Sequence, residues 1–202
     1  MTSTRTLLVA TSNAGKIAEI RSMLTAIPIR LAGLSDFQSV IEIPETGTTF
    51  RENACLKALG YAHQTGLFAL ADDSGLEVAA LAGRPGVLSA RYGGVNLPFD
   101  KKLEKLLQEI RATGTRDRSA RFVCSIAVAS PDGRILKTAD GVCNGHICEA
   151  PRGSHGFGYD PIFVPTGFKE TFGELSENTK SLISHRARAF LQIIPILRDF
   201  LV

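Results

Sequence analysis

The sequence predicts an α/β protein whose mixed β-sheet is flanked by helices. Strand-like and helix-like segments alternate through the first half of the chain, a pattern typical of strands connected by helices. Two β-rich runs, Arg121 to Ala129 and Arg134 to Cys143, then surround Ser130-Pro131-Asp132-Gly133, which indicates a hairpin. The 202 residues suffice for one sizeable core or for two lobes around a cleft. We expect a single domain over residues 1–202.

Composition and charge narrow the class of protein. Hydrophobic residues make up 44% of the chain and charged residues 21%, as in ordinary globular enzymes. The net charge of +3 is too small to indicate a nucleic-acid surface. No apolar run approaches the roughly 20 residues that a membrane helix needs. The short polar stretch Met1 to Thr6 does not resemble a secretory signal, so we expect a cytoplasmic protein that binds neither nucleic acid nor membrane.

The N-terminal segment predicts a strand, a polar loop and a helix. Thr6 to Ala10 has the pattern of a buried strand, and Ile29 to Leu34 predicts a second one beyond Pro28. Between them lies a helix with one apolar face, formed by Ile17, Ile20, Leu24 and Ile27. The loop Thr11 to Lys16 could bind an anion through helix N-terminal amides and an ammonium. The pattern alone slightly favours the other interpretation, a capped helix start with a solvated lysine.

A second helix begins at a capping box. The pattern Thr49-Phe50-Arg51-Glu52 predicts a helix from there to about residue 64, with Gly66 beyond its end. Its Asn53 and Lys57 are four residues apart and therefore share one side of the helix. Lys57 could neutralise a phosphate or be an ordinary surface lysine.

Two adjacent carboxylates follow an apolar run. Leu67 to Ala71 predicts a short buried strand, and Asp72-Asp73-Ser74-Gly75 is expected to end it in a sharp turn at the glycine. Carboxylates at the end of a buried strand are costly unless a cation or hydrogen-bond donors meet them. A hard metal such as Mg²⁺ would suit them, although a polar turn is an equal alternative. Glu45, in a loop after Pro44, could point into the same site.

The rest of the chain predicts a turn, two helices and a strand. These are a turn at Gly83-Arg84-Pro85-Gly86, a helix from about Pro98 to Ala112, and a short strand from Pro161 to Val164. A C-terminal helix carries the apolar residues Ile183, Ala187, Phe190, Leu191 and Ile194, and Pro195 is expected to kink or end it. Cys143, His146 and Cys148 match no common zinc spacing, so they are interpreted as strand residues of the hairpin.

Two further groups of residues could bind a nucleotide. Gly153 to Pro161 combines three glycines with two aromatics, and Phe157 could stack on a base, unless these rings fold back onto the core. A basic group marks the start of the last helix: Lys180, Ser184, His185, Arg186 and Arg188. Cations there oppose the helix dipole unless a polar ligand is near, although a solvated basic face is the simpler interpretation. Taken together, the groups match the needs of a nucleoside triphosphate pocket.

The chain closely resembles the family of inosine/xanthosine triphosphate pyrophosphatases, which remove deaminated purine nucleotides. The matching motifs fall in order across nearly the whole chain: Thr11 to Lys16, Thr46 to Ala54 with Lys57, Asp72 to Leu76, Gly83 to Arg91, Phe157 to Phe163, and Ser184 to Arg186. The resemblance implies a homodimer of elongated subunits, each with a central substrate cleft between two lobes. It also implies Mg²⁺-assisted hydrolysis of a nucleoside triphosphate to the monophosphate and pyrophosphate.

The resemblance also implies roles for individual residues. Asp73 matches the general base, and Asp73 and Glu45 match metal-associated residues, which leaves Asp72 as a structural residue. The implied substrate contacts are Thr11, Ser12, Asn13, Ala14, Gly15, Lys16, Lys57, Ser74, Phe157, Gly158, Tyr159, Asp160, Lys180, His185 and Arg186. We expect donors from the Arg186 region or nearby backbone to read the six-position oxygen of the base. A pyrophosphatase for other modified bases and a nucleotide-binding regulator without turnover are the alternatives.

Overall fold

A computed structural model describes the backbone of residues 5–201 and the side chains of residues 5–199. The interpretation of Met1 to Thr6 as unlike a secretory signal rests mostly on residues 1–4, which lie outside the described residues. The strands are β1 (Thr6–Val9), β2 (Arg30–Gly33), β3 (Phe68–Val78), β4 (Ser119–Ala129), β5 (Ile135–Ile147) and β6 (Phe163–Pro165). The α-helices are α1 (Ala14–Leu24), α2 (Phe50–Thr65), α3 (Phe99–Ala112), α4 (Glu177–Ile183) and α5 (His185–Leu201). None of the helices within residues 5–201 has the length and hydrophobicity that crossing a membrane requires.

The six strands form one mixed sheet in the order β2-β1-β3-β4-β5-β6. Strand β1 is parallel to both neighbours, with Leu7 opposite Leu31 on one side and Phe68 on the other. Strand β6 is antiparallel to β5. A hairpin turn joins β4 to β5 through a hydrogen bond from the Ser130 amide to the Arg134 carbonyl at 2.9 Å. The predicted mixed α/β sheet is therefore confirmed, whereas the central cleft stays a prediction.

The chain divides into two compact units, each built from separate stretches. The first unit comprises the described parts of Met1–Asp73, Cys124–Gly141 and Arg186–Val202, and the second comprises Ser74–Val123 and Val142–His185. Each unit has its own buried core. One core of the first unit is rich in alanine, where Ala54, Ala58 and Ala62 of α2 pack against Ala69 and Ala71 of β3. Small side chains let α2 lie close to β3, which brings the polar residues of both elements together.

The helix boundaries follow the predicted caps. Helix α1 begins after Asn13, whose side chain accepts a hydrogen bond from the Lys16 amide. Helix α2 has the complete capping box between Thr49 and Glu52, and it ends at Gly66 in the left-handed conformation at φ +68°. These signals were readable in the sequence because each is made by neighbouring residues.

The predicted turn at Asp72-Asp73-Ser74-Gly75 is wrong, because β3 continues through all four residues to Val78. Gly75 serves close packing instead. A Cβ atom there would overlap Ser89 Oγ and lie 2.6 Å from the Gly86 carbonyl oxygen. Ser89 Oγ accepts a hydrogen bond from the Leu76 amide at 2.9 Å and donates one to that carbonyl at 2.6 Å. The glycine therefore allows the segment around Ser89 to bind the strand.

The C-terminal prediction also needs correction. Ile183 ends α4, and a separate helix, α5, begins at His185. Pro195 lies inside α5, which continues to Leu201 and is not ended there. Ala187 and Phe190 are buried as expected, but Leu191 is 68% exposed and does not belong to the apolar face. Cys143 and His146 are residues of β5, as the hairpin interpretation predicted, whereas Cys148 follows the last residue of that strand.

Candidate active site

Asp73, the predicted base, is held by two residues of α2 in the first unit. Asn53 Nδ2 donates to Asp73 Oδ2 at 3.1 Å, and Lys57 Nζ lies 3.3 Å from Asp73 Oδ1. The prediction that Asn53 and Lys57 lie on the same side of α2 is therefore confirmed. Lys57 Nζ also donates to Glu45 Oε1 at 2.6 Å, so both candidate metal ligands contact one ammonium group. The four side chains form one polar cluster, here called the acidic cluster.

The loop that carries Glu45 is fixed to α2. The Gly47 amide donates to Asn53 Oδ1 at 2.8 Å, and the Ile43 amide donates to the Tyr61 hydroxyl at 3.3 Å. A Cβ atom at Gly47 would lie 2.7 Å from Asn53 Oδ1, so the close approach requires glycine. Asn53 thus binds the loop with its oxygen and Asp73 with its nitrogen. Asn53 was outside the predicted site, although its spacing from Lys57 was the available signal.

Burial and neighbouring charges act in opposite directions on the acidic cluster. Burial raises the pKa of Asp73, and Lys57 and Lys16 only partly oppose this effect. Burial lowers the pKa of Lys57, but the carboxylates of Asp73, Asp72 and Glu45 outweigh it, so the net change in its pKa is upward. Lys57 is therefore a charged ammonium, and Asp73 is a stronger base than an exposed aspartate.

The acidic cluster fits a hard divalent cation. Mg²⁺ is commonly held by one or two carboxylates together with substrate phosphates and water. Glu45 and Asp73 supply such a pair, because both contact the Lys57 ammonium. Within residues 5–199, no group of three or more histidine, cysteine or acidic side chains could hold a metal. The two carboxylates therefore fit coordination of this kind.

Asp72 contacts a different set of partners from Asp73. Its carboxylate is fully buried, with Lys16 Nζ 3.0 Å from Oδ1 and with Arg186 Nε and Nη2 donating to Oδ2 at 3.0 and 2.8 Å. Successive side chains of a strand point to opposite faces, which explains the separation. Burial alone would raise the pKa of Asp72, but Lys16 and Arg186 hold it well below its usual range. The expected structural role of Asp72 agrees with these contacts.

The loop Thr11 to Lys16 forms the start of α1. Thr11 Oγ1 accepts from the Asn13 amide at 3.2 Å, and Asn13 Oδ1 accepts from the Lys16 amide at 3.0 Å. Ser12, Asn13 and Ala14 are exposed. The first amides of a helix have no partner within the helix, so this turn presents donors beside the Lys16 ammonium. The capped helix start is therefore present, and the binding of an anion by this loop stays a prediction.

A second group of predicted contacts is assembled in the second unit. Asp160 Oδ2 accepts from the Phe157 amide at 2.7 Å and from Lys180 Nζ at 2.6 Å. Lys180 Nζ also lies 4.8 Å from the centroid of the Phe157 ring. Gly156 has φ +71°, and a Cβ atom there would overlap Asp160 Oδ2. Asp160 and Lys180 therefore fix the backbone and the ring of Phe157.

Tyr159 and His185 are buried in the same unit. The Tyr159 hydroxyl donates to the Ser89 carbonyl at 3.0 Å, and its ring meets Phe99 edge to face at 5.1 Å between centroids. The His185 ring stacks on Phe122 at 4.7 Å with an interplanar angle of 10°. Tyr159 thus serves to hold the loop that carries Gly158, and its predicted contact with substrate stays a prediction, as does that of Ser74.

Arg186 lies in the first unit and is almost completely buried. Only 1% of its surface is exposed, and its guanidinium also donates from Nη1 to Glu19 Oε2. Glu19 was outside the predicted site, although it lies one helical turn after Lys16 on α1. The guanidinium is thus engaged by two carboxylates, and reading of the base by the Arg186 region or nearby backbone stays a prediction.

The sequence profile of the Ham1 family matches residues 7–196. The chain belongs to the Ham1 family. A Ham1 protein of known structure from Coxiella burnetii is 42% identical, with a TM-score of 0.88 over 96% of this chain and 99% of that one. The Ham1 protein from Staphylococcus aureus is 38% identical with a TM-score of 0.84, over 96% of this chain and 99% of its own.

Curated relatives of this chain carry a functional name. A protein from Nostoc sp. called dITP/XTP pyrophosphatase is 47% identical over 95% of this chain and 94% of its own length. A protein of the same name from Synechocystis sp. is 46% identical over 94% of this chain and 93% of its own length. The family resemblance inferred from the motifs is confirmed.

Proposed function

We propose that this Ham1 protein hydrolyses deaminated purine nucleoside triphosphates, namely ITP, dITP and XTP, to the nucleoside monophosphate and pyrophosphate. The names and high identity of the curated relatives support the substrate class. The observation that carries the proposal is the acidic cluster, in which Lys57 contacts both Asp73 and Glu45. A binding protein without turnover would gain nothing from a buried carboxylate whose pKa is raised toward that of a general base.

In this reaction, Asp73 takes a proton from the attacking water. The water oxygen forms a bond to the α-phosphorus, and the bond between the α-phosphorus and the bridging oxygen breaks. Pyrophosphate leaves with the electron pair of that bond. Asn53 and Lys57 orient the Asp73 carboxylate by contacting its two oxygens. Fixed donors of this kind reduce the reorganisation that the reaction requires.

Mg²⁺ is the metal that we assign to this reaction. Glu45 and Asp73 would hold it, and it would neutralise charge on the phosphates. The helix start from Thr11 to Lys16, with Lys57 and Ser74, is assigned to the triphosphate, because its amides and ammonium favour an anion.

The base is assigned to the predicted contacts of the second unit, which are Phe157, Gly158, Tyr159, Asp160, Lys180 and His185. The guanidinium of Arg186 is not assigned to the base, because Asp72 and Glu19 engage it. A donor facing the six position would pair with the keto oxygen of hypoxanthine or xanthine, whereas the amino group of adenine would leave that donor unsatisfied. Sites that depend on such a hydrogen bond discriminate strongly.

We further propose that the protein is a cytoplasmic homodimer. Leu88 and Val95, exposed by 48% and 79%, offer apolar surface in the second unit for association. Cys55, Cys124, Cys143 and Cys148 are all free thiols, which suits a reducing compartment. Sedimentation of the purified chain would determine the oligomeric state.

Product identification tests the proposed function. The chain is incubated with ITP and Mg²⁺, and the products are separated by chromatography. We expect IMP and pyrophosphate, whereas IDP and phosphate would overturn the proposed site of attack. Turnover of XTP, GTP, ATP and dTTP in the same assay separates the proposed substrate class from a pyrophosphatase for other modified bases. Tight binding of ITP without pyrophosphate release would instead support a regulator.

A further inference from the structure

Four charged side chains of the first unit, Arg186 among them, are linked by three ion pairs and by the backbone of α1. Lys16 pairs with Asp72, and Asp72 accepts two hydrogen bonds from Arg186. Arg186 in turn donates to Glu19, which lies three residues after Lys16 on α1. The ring therefore closes through one turn of the helix. These four residues are here called the charge ring.

The charge ring is partly buried and electrically balanced. The side chains of Asp72 and Arg186 are 0% and 1% exposed, and those of Lys16 and Glu19 are 14% and 21% exposed. Its two positive and two negative groups balance, and ion pairs join Lys16 to Asp72, Asp72 to Arg186, and Arg186 to Glu19. Buried charges that satisfy one another in this way restrict the geometry of every member.

The most exposed cation of the ring is the lysine of the proposed phosphate loop. A lysine side chain is long and flexible, so an ammonium without an anchor occupies many positions. Asp72 Oδ1 anchors Lys16 Nζ at 3.0 Å, and Arg186 anchors Asp72 from the other side. Arginine suits this position because its planar fork can donate to two carboxylates at once, which a lysine cannot match in geometry.

We propose that Arg186 and Glu19 are positioning residues that act through Asp72 on Lys16, and that Arg186 serves the phosphates and not the base. The proposal rests on the proposed function, because it takes Lys16 as a phosphate ligand. Pre-positioned charges bind a ligand with a smaller entropic cost, so loosening the ring should weaken binding of any ligand that Lys16 contacts. Recognition of the base should be unaffected.

The Glu19→Gln variant tests the proposal without removing a buried group. Its matched control is Glu77→Gln, since Glu77 is 25% exposed and pairs with Arg121 at 2.6 Å in the second unit. Binding of inorganic pyrophosphate and of inosine is measured by calorimetry, and kcat/KM is measured for ITP and ATP. We expect Glu19→Gln to weaken pyrophosphate binding by roughly tenfold, with inosine binding and the ITP-to-ATP ratio unchanged. The control should match the unsubstituted chain in all four measurements.

Two outcomes would overturn the proposal. One is unchanged pyrophosphate binding in Glu19→Gln. The other is a collapse of the ITP-to-ATP ratio with pyrophosphate binding intact, which would assign the ring to the base. A general loss of folding would weaken the binding of pyrophosphate and the binding of inosine together. A merely structural role therefore does not explain a selective loss of pyrophosphate binding.

The Arg186→Lys variant provides the second measurement. We expect it to keep a positive charge but to lose pyrophosphate binding to the same extent as Glu19→Gln, and full binding would contradict the need for the arginine fork. Failure of the proposed function would be recognised separately, because the unsubstituted chain would then release no pyrophosphate from ITP. If that chain is active and both variants bind pyrophosphate normally, the inference alone fails.

Discussion

Asn53 donates a hydrogen bond to Asp73 across 3.1 Å, and through its oxygen it also binds the loop that carries Glu45. One amide therefore sets the position of the proposed base and of the second proposed metal ligand. This arrangement depends on α2 lying close to β3, which the alanine-rich core of the first unit permits.

The Asp73→Asn variant should lose turnover while remaining folded. Asparagine keeps the shape of the side chain but cannot accept the proton from water, and removal of a general base typically costs about 10²- to 10⁴-fold in rate. Pyrophosphate release from ITP measures the activity, and thermal unfolding verifies the fold. Asp140→Asn is the control, because Asp140 is a 38% exposed partner of Arg51 in the same unit. Substantial activity in Asp73→Asn would exclude Asp73 as the base.

The Asp73 carboxyl group should titrate above the usual 3.8 in the metal-free protein, because burial raises its pKa. The hydrogen bond from Asn53 lowers that pKa, so Asn53→Ala should raise it further. NMR titration of the side-chain carboxyl group without Mg²⁺ measures the pKa in both proteins. Asn144→Ala, at an exposed position of β5, is the control. A pKa of Asp73 that does not move in Asn53→Ala would contradict the link between the two residues.

The Asp72 carboxylate should contribute to the free energy of unfolding even at mildly acidic pH. Its pKa lies well below the usual range, so its contribution is present above the unfolded pKa of about 4 and is lost as pH falls through the folded value. Asp72→Asn leaves Lys16 and Arg186 without their shared carboxylate, and breaking a buried ion pair costs about 3 kcal/mol or more. Urea unfolding should show the same loss in the free energy of unfolding at pH 7 and at pH 5. The difference between Asp72→Asn and the unsubstituted chain should shrink only below about pH 4.

A control separates this effect from a change in net charge. Asp132→Asn removes the same charge from an exposed turn, where Asp132 pairs with Arg134, and should leave stability nearly unchanged. If Asp72→Asn unfolds at the same urea concentration as the unsubstituted chain, the charge ring does not stabilise the fold.

Local signals in the sequence were sufficient for much of the fold. The caps at Asn13 and Thr49 and the hairpin at Ser130 involve residues within a few positions of one another, so a short pattern predicts them. The pairing of Arg186 with Asp72 joins residues 114 positions apart, and no local pattern reveals it. The motif resemblance brought Arg186 into the site, but it could not show which atoms the guanidinium contacts.

Gly75 shows how a correct residue type can suggest a wrong structure. Glycine commonly marks a turn, but here its extended backbone continues β3 and its missing side chain admits Ser89. Gly75→Ala should therefore destabilise the fold by roughly 1–3 kcal/mol, as overpacking does. Gly33→Ala in β2 is the control, because a Cβ atom there would lie at an ordinary 3.5 Å from Ser35 Oγ. Equal melting temperatures for the two variants would show that the segment around Ser89 moves aside freely.

Lys180 should control the position of the Phe157 ring. Its ammonium contacts Asp160 at 2.6 Å and lies over the ring at 4.8 Å, while Asp160 also accepts from the Phe157 amide. Lys180→Met keeps the length of the side chain but removes the charge that holds Asp160 and attracts the face of the ring. The loop should then be less ordered, and KM for ITP should rise by roughly tenfold because binding must first fix Phe157.

The absence of tryptophan from the sequence makes this effect visible without turnover. Phe157→Trp introduces a single fluorophore at the predicted base contact, and IMP should change its emission if the base stacks there. Adding Lys180→Met to that variant should weaken the IMP titration by a factor similar to the rise in KM. Lys169→Met is the control, since Lys169 is an exposed lysine of the same unit. An IMP titration that is the same with and without Lys180→Met would mean that Asp160 alone holds the loop.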